Sequence, residues 1–343
     1  MTKKLSLVIP HYKEDSRYIK RMLDSIALQQ QINFDDIEVI IVNDGDECVL
    51  ADELLNKYEF DVNYHINTKK GVSGARNYGL KQSKGKYVMF CDCDDMFISP
   101  FAIFIIFREI DNGGFDGLIC NFLQETKMPD GNFNYIEMPM NRNFVHGKVM
   151  NKGFMDRNKI YFNETSNVHE DFCMIAIASA YTTNIKYCPF PIYGWMWAEG
   201  SVCRRDPLYL QKTTVNLLMN ASYVLEHLLK NGRNDIARET AFSMIMDIYY
   251  SLNRKDWLDY ANKEWRDLTE GTFKFFYETY KKYADELQED KRNAIIAGQK
   301  QMHIQQGVLL EDITFKDWIK HIESEEVKPL PFKVTSNPFI ENE

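Results

Sequence analysis

The stretch Gly85-Lys86-Tyr87-Val88-Met89-Phe90-Cys91-Asp92-Cys93-Asp94-Asp95-Met96-Phe97 decides the fold. An apolar run that follows a glycine turn reads as a buried strand, and this one ends in three carboxylates within four positions. Carboxylates are rarely buried without a partner, so Asp92, Asp94 and Asp95 are expected just past the strand's carboxyl end, where open α/β sheets place their ligand crevices. Three like charges that close repel one another. A hard divalent cation, Mn²⁺ or Mg²⁺, relieves the repulsion and recruits phosphate oxygens as further ligands. Taken alone, the three residues read equally well as a solvated acidic turn that caps the next helix.

Outward from this strand the pattern is that of an α/β chain. Lys3 to Pro10 is an apolar strand stopped by proline, and Ile37 to Val42 is a second. Between them, Glu14 to Leu28 carries Ile19, Met22, Leu23 and Ile26 at helical spacing. Strand, helix and unalternating apolar strand make the βαβ unit of a parallel sheet. Phe60 to Ile66 reads as a short third strand, and Val72 to Ser83 as a helix whose glycine-rich start leaves backbone N–H groups free for an anion. Pro100 to Ile110 is apolar enough to be a buried helix, and Asp116 to Gln124 reads as another strand. The expected fold class is a mixed, mainly parallel sheet flanked by helices, over residues 1–205. It divides into a first half, about 1–99, and a second, about 100–205. Residues 206–326 read as helical, with Val215, Leu218, Leu225 and Leu229 in helical period and an aromatic stripe at Phe273, Phe276, Tyr277, Tyr280 and Tyr283. Residues 327–343, with Pro329, Pro331 and Pro338, read as an extended tail.

Composition agrees with a soluble enzyme. At 343 residues, 45% hydrophobic and 27% charged, the chain exceeds the size at which one core stops growing. The sequence has no apolar run of bilayer length and no signal-peptide segment at its start, so a cytoplasmic location is expected. Seven scattered cysteines point to reduced thiols, with Cys91 and Cys93 as small fillers around the aspartates. A net charge of −9 sets up no general attraction to nucleic acid or anionic lipid, while leaving room for local basic patches.

Five further segments extend the reading of the acidic strand. They are Leu5-Ser6-Leu7-Val8-Ile9-Pro10-His11-Tyr12, Val39-Ile40-Ile41-Val42-Asn43-Asp44-Gly45, the Asn67 to Gly79 segment with Ala75-Arg76-Asn77, His146 to Phe154, and His169-Glu170-Asp171-Phe172. In this order, around Asp92-Cys93-Asp94, the first 200 or so residues resemble the family 2 glycosyltransferases of GT-A fold. The resemblance implies an inverting transferase that uses a nucleotide-sugar, most often UDP-linked, and Mn²⁺ or Mg²⁺. Pro10, His11, Tyr12 and Asp44 would line the base, Gly74 and Arg76 would approach the diphosphate, Asp92 would meet the ribose and Asp94 would bind the metal. Asp95 is read as a helix cap or loop-ordering residue. Asp171 would be the base that deprotonates the acceptor hydroxyl.

Glu170 reads as a helix-dipole partner and His169 as a hydrogen-bonding or acceptor residue, while Trp195 and Trp197 offer aromatic faces or core packing. The family's arginines before a Ser-Val pair are replaced here by Met196 and Ala198, ahead of Ser201-Val202, with Arg204 as the substitute. The expected acceptor bears a hydroxyl, a glycan first, with a protein or a modified nucleobase as alternatives. Self-association through the helical region is the further partner expectation. The competing functions are a nucleotide-sugar-binding module without transfer and, less favoured, a nucleotidyltransferase.

Overall fold

The computed structural model describes residues 3–44, 52–67, 71–141, 143–166, 168–198, 201, 208–258, 263–305 and 307–331. The chain divides into two units, Met1–Ser201 and Val202–Glu343.

The first unit opens with β1 (Leu5–His11), α1 (Ser16–Ala27), β2 (Ile37–Asn43), α2 (Asp52–Leu55), β3 (Asp61–Ile66), α3 (Val72–Gln82) and β4 (Tyr87–Phe90). It continues with β5 (Met96–Phe97), α4 (Ala102–Asp111), β6 (Gly117–Lys127), β7 (Phe133–Met138), β8 (Lys148–Asn151), α5 (Lys152–Arg157), α6 (Glu170–Tyr181) and β9 (Ile185–Trp195). One sheet runs β3-β2-β1-β4-β8-β6-β9-β5, with β7 on the side of β6. The β3-β2-β1-β4 half is parallel, β8 lies antiparallel between β4 and β6, and β6 pairs β9 in parallel.

The parallel half follows from its sequence. Every residue of β1, β2 and β4 is buried, as expected of strands covered on both faces. The register pairs Val8 with Phe90 and His11 with Asn43, which brings the carboxyl ends of the three strands to one edge. Backbone bonds tie that edge together: Cys91 N–H donates to the Val8 carbonyl at 2.9 Å and Asp44 N–H to the His11 carbonyl at 2.8 Å. Helix α3 crosses behind β1 and β2. It comes so close that a Cβ at Gly79 would lie 2.3 Å from Val8 Cγ1, so this position excludes every side chain.

Strands β7 and β9 were not expected. All of β7 but Met138 is exposed, so it carries no buried apolar face. In β9, Pro189 and Pro191 argue against a strand, and the register against β6 slips on both sides of Asn121, where the prolines fall. Asp95 does not cap α4 either: the N-cap is Phe101, without a side-chain bond. The Asp95 carboxylate faces inward instead, because Met196 N–H and the ring of His146 lie on that side.

The second unit consists of α7 (Tyr209–Lys212), α8 (Thr214–Lys230), α9 (Asn234–Leu252), α10 (Lys255–Leu258), α11 (Lys263–Asp285), α12 (Glu289–Gln305) and α13 (Phe315–Glu323). The aromatic stripe of α11 is core. Phe273 and Phe276 are fully buried, and Trp318 of α13 lies 4.8 Å from Phe273. Buried Lys274 donates to the carbonyls of Glu323, Ser324 and Val327 and so neutralises the C-terminal end of α13. No helix of the described residues is long and apolar enough to cross a membrane. Residues 332–343, which include Pro338, lie outside the described residues.

Candidate active site

Arg76, the fifth residue of the glycine-rich helix α3, is 3% exposed and is the hub of the site. Its Nη2 donates to Asp92 Oδ1 at 2.8 Å, and its Nη1 donates to Glu170 Oε1 at 2.7 Å and to Asp171 Oδ1 at 2.8 Å. Its guanidinium also lies 5.2 Å from the centre of the Phe162 ring. Burial by itself would favour a neutral arginine, but Asp171, Asp92 and Glu170 more than offset it and hold the group charged. Burial would raise the Asp92 carboxyl too, yet Arg76 keeps it below its usual range. Glu170 is the residue that gives way. Burial, reinforced by Asp171, pushes its carboxyl up to about 8, as expected where three carboxylates share one cation.

Asp171 opens α6 and is held twice: by Arg76, and by Val145 N–H, which donates to Oδ2 at 3.0 Å. The loop that supplies Val145 is pinned in turn. Lys148 Nζ donates to the Phe144 carbonyl, and Gly147 has φ 68, with Cys120 O only 2.8 Å from where a Cβ would lie. Burial pulls the Lys148 ammonium down to about 8. His169 precedes α6 in the left-handed conformation, φ 59, and burial pushes its imidazole down to about 4, so it is neutral.

The acidic turn after β4 separates its carboxylates. Asp94 is half-buried beside Asp92 and Glu14, and burial with those two charges pushes it up to about 7. Its backbone carbonyl accepts from Arg21 Nη2. Asp95 is fully buried: Oδ1 accepts from Met196 N–H at 2.8 Å, and Oδ2 lies 3.7 Å from His146 Nδ1. Those last two atoms are buried without a hydrogen-bond partner. Asp92, Asp95 and His146 each offer a ligand atom within 4.8 Å of the others, a donor set suited to a divalent cation with affinity for both oxygen and imidazole, such as Mn²⁺. Asp94 is not part of that group. Cys91 and Cys93 are buried free thiols that fill space around the turn.

At the edge of the parallel half, His11 is buried with Nε2 3.3 Å from the Glu14 carbonyl, and Tyr12 N–H donates to Glu14 Oε2 at 2.5 Å. Pro10 lies in the fully buried β1, Asp44 Oδ2 accepts from Gly71 N–H at 2.9 Å, and Gly74 is buried within α3. Trp195 packs 5.2 Å from Phe144 and 5.3 Å from His146, and His146 stacks on Tyr193 at 5.5 Å and 14°. Trp197 is half-buried, its N–H donating to Glu125 Oε2 at 2.7 Å. Ser201 N–H donates to the Ala198 carbonyl at 3.3 Å, and Arg204 lies outside the described residues. Sequence reasoning thus singled out Arg76, Asp92, Glu170 and Asp171 one by one, which the structure brings together, but gave no individual role to His146, Lys148 or Glu14. His146 stood in a segment already singled out, and a histidine next to a glycine and lysine in a crevice loop was the available signal.

The chain is similar to known proteins in sequence and fold. Over 125 residues the chain is 32% identical to the minor teichoic acid biosynthesis protein GgaB of Bacillus subtilis (strain 168), which covers 36% of this chain and 12% of GgaB. It is 35% identical over 94 residues to the glycosyltransferase GlyA of Streptococcus pneumoniae serotype 4, covering 27% of this chain and 13% of GlyA. The chain therefore spans only about an eighth of the length of these relatives. Among solved structures, S. aureus TarS 1-349 in complex with UDP-GlcNAc superposes with a TM-score of 0.63 over 91% of this chain and 95% of that one, at 17% identity. At that identity the likeness establishes the shared GT-A fold. Residues 6–180, just over half the chain and containing the whole Arg76 cluster, match the family model "Glycosyl transferase family 2". The chain belongs to glycosyl transferase family 2.

Proposed function

We propose that this protein transfers a sugar, with inversion, from a UDP-sugar to a hydroxyl of a glycan acceptor. The observation that carries the reading is the single guanidinium of Arg76, which bridges Asp92 on the nucleotide side and Asp171 on the acceptor side. Pro10, His11, Tyr12 and Asp44 would receive the base and Asp92 the ribose. The N-terminal turn of α3, with Gly74, would face the diphosphate. Asp171, fixed by Val145 N–H and Arg76, would take the proton from the acceptor hydroxyl as that oxygen attacks the anomeric carbon and the sugar–phosphate bond breaks. Arg76 is occupied by three carboxylates, so its part is to hold that base and Asp92 in place; its charge is not free for the phosphates. Trp195 and Phe144 give the acceptor side an aromatic wall of the kind that sugar rings pack against.

A bound Mn²⁺ or Mg²⁺ would neutralise charge building on the departing diphosphate. Asp94 is the residue we assign to it, because its charge is repelled by Asp92 and Glu14 and only partly offset by Arg21. A second reading, favoured by the two partnerless atoms, places the cation among Asp92, Asp95 and His146. Asp94→Asn is expected to abolish the Mn²⁺-dependent part of UDP-sugar binding in a thermal-shift titration, while His146→Gln keeps it. The opposite pattern selects the second reading.

The same group predicts a pH effect. An ordinary aspartate titrates near 3.8, and Asp94 is pushed up to about 7 in the fold. Between those values the folded protein holds a proton that the unfolded chain has lost, so stability of the metal-free protein falls as pH rises from about 4 to about 7, by a few kcal/mol at most. Asp94→Asn should flatten that decline in urea unfolding curves. An unchanged slope would show that Asp94 is not desolvated.

A further inference from the structure

Next to the acidic turn, a groove of about 590 Å³ opens between α1 and the segment Met96–Pro100. Its volume is that of a small-molecule site. Along α1, Arg17, Lys20 and Arg21 line it at helical spacing, and Asp24 is the one carboxylate in the lining, in a chain whose net charge is −9. Leu28, 70% exposed, contributes an apolar rim together with Met96, Ile98 and Pro100.

The cations are not equivalent. Arg17 pairs with Asp15 at 3.0 Å and Lys20 pairs with Asp24, which also accepts from Lys57 and Tyr58. Among the described residues Arg21 has no carboxylate at ion-pair distance. It donates to the Asp94 carbonyl, lies 5.4 Å from the Tyr18 ring, and its Nε is buried without a hydrogen-bond partner. The walls are held rigidly. Gln29 Nε2 donates to the Ser99 carbonyl at 2.8 Å and its Oε1 accepts from Ile103 N–H at 2.9 Å, Gln30 N–H donates to the Pro100 carbonyl at 2.7 Å, and Phe97 N–H donates to Ser25 Oγ at 3.0 Å. A groove latched open by four hydrogen bonds binds without an ordering cost.

An apolar channel rimmed by three cations, one of which, Arg21, has no carboxylate at ion-pair distance among the described residues and only Asp94 further off to balance it, suits an anionic head joined to an apolar chain. We infer that this groove binds a phosphate-headed lipid, the head against Arg17, Lys20 and Arg21 and the apolar chain along Leu28, Met96 and Ile98. A guanidinium presents paired donors to phosphate oxygens, and an exposed leucine beside it gains by covering an alkyl chain. The inference does not rest on the transfer reaction proposed above, although Arg21 joins the groove to the acidic turn through the Asp94 carbonyl.

Calorimetric titration of the full chain with monomeric dihexanoyl phosphatidic acid, dihexanoyl phosphatidylcholine and inorganic phosphate tests the assignment. The phosphatidic acid should saturate one site at least about tenfold more tightly than either of the others. Lys20→Gln should weaken it about fivefold, the worth of one cation near a lipid head group, and Leu28→Asp by tenfold or more. Both variants sit on the surface of α1 and should melt like the parent. Asp171→Asn should bind the lipid unchanged. Equal affinity for inorganic phosphate, equal affinity for phosphatidylcholine, no saturable binding, or indifference of both groove variants would each overturn the inference.

Discussion

Asp171→Asn should lower the single-turnover rate of sugar transfer by at least about 10²-fold, the low end for loss of a general base, with UDP-sugar affinity nearly unchanged. The amide is almost isosteric and its oxygen can still accept from Val145 N–H, so the start of α6 is preserved. What disappears is the charge and the ability to take a proton. Were Asp171 only a structural partner of Arg76, the asparagine would be close to fully active, since Asp92 and Glu170 still hold the guanidinium. Glu170→Gln provides the contrast: a residue whose carboxyl is already pushed up to about 8 loses little by neutralisation, and this variant should keep most of its activity. Near-normal transfer by Asp171→Asn refutes the assignment, and a fall in donor affinity parallel to the rate moves Asp171 to the donor side.

The largest loss of stability should come from Arg76→Met. Removing one partner of a buried ion pair costs about 3–5 kcal/mol because the other charge stays behind, and here three carboxylates are left facing one another. Urea unfolding at neutral pH measures the loss, which should shrink at low pH as the carboxylates take up protons. Arg76→Lys restores a charge but not the fork that reaches Asp92 with one nitrogen and Glu170 and Asp171 with the other, so it should recover only part of the loss. A Met variant as stable as the parent at neutral pH would mean that the carboxylates are already protonated in the fold.

The parts of this structure that were legible in the sequence are those where local pattern and tertiary environment agree. β1, β2 and β4 are short unalternating apolar runs, and strands buried on both faces have no other appearance. The buried positions Ile19, Met22, Leu23 and Ile26 of α1 are those that its helical period marked. Strand β9 was invisible because Pro189 and Pro191 break the strand pattern, and only the slipped pairing with β6 accommodates them. Of the two roles read for Asp95, helix cap or loop-ordering residue, the cap is absent, and the bond to Met196 N–H is of the second kind. Its partner Met196 is 101 residues away, whereas a cap would have been local. Arg76 was read from its motif as a diphosphate residue, and the structure shows its guanidinium bonded to three carboxylates. Its partners Glu170 and Asp171, 94 and 95 residues on, are set by how α6 docks against α3, which no local spacing encodes.

One consequence of the Arg76 hub concerns the two substrates. Asp92 and Asp171 draw on the same cation, so a ligand that alters the contact of either carboxylate with the guanidinium changes the field at the other. On the assignment proposed above, with the donor at Asp92 and the acceptor at Asp171, the two affinities are linked by a common free energy, and linkage is reciprocal: whatever factor the donor imposes on acceptor binding, the acceptor must impose on the donor. With that assignment the crevice is expected to act as one thermodynamic unit whose two ends are coupled through a single side chain.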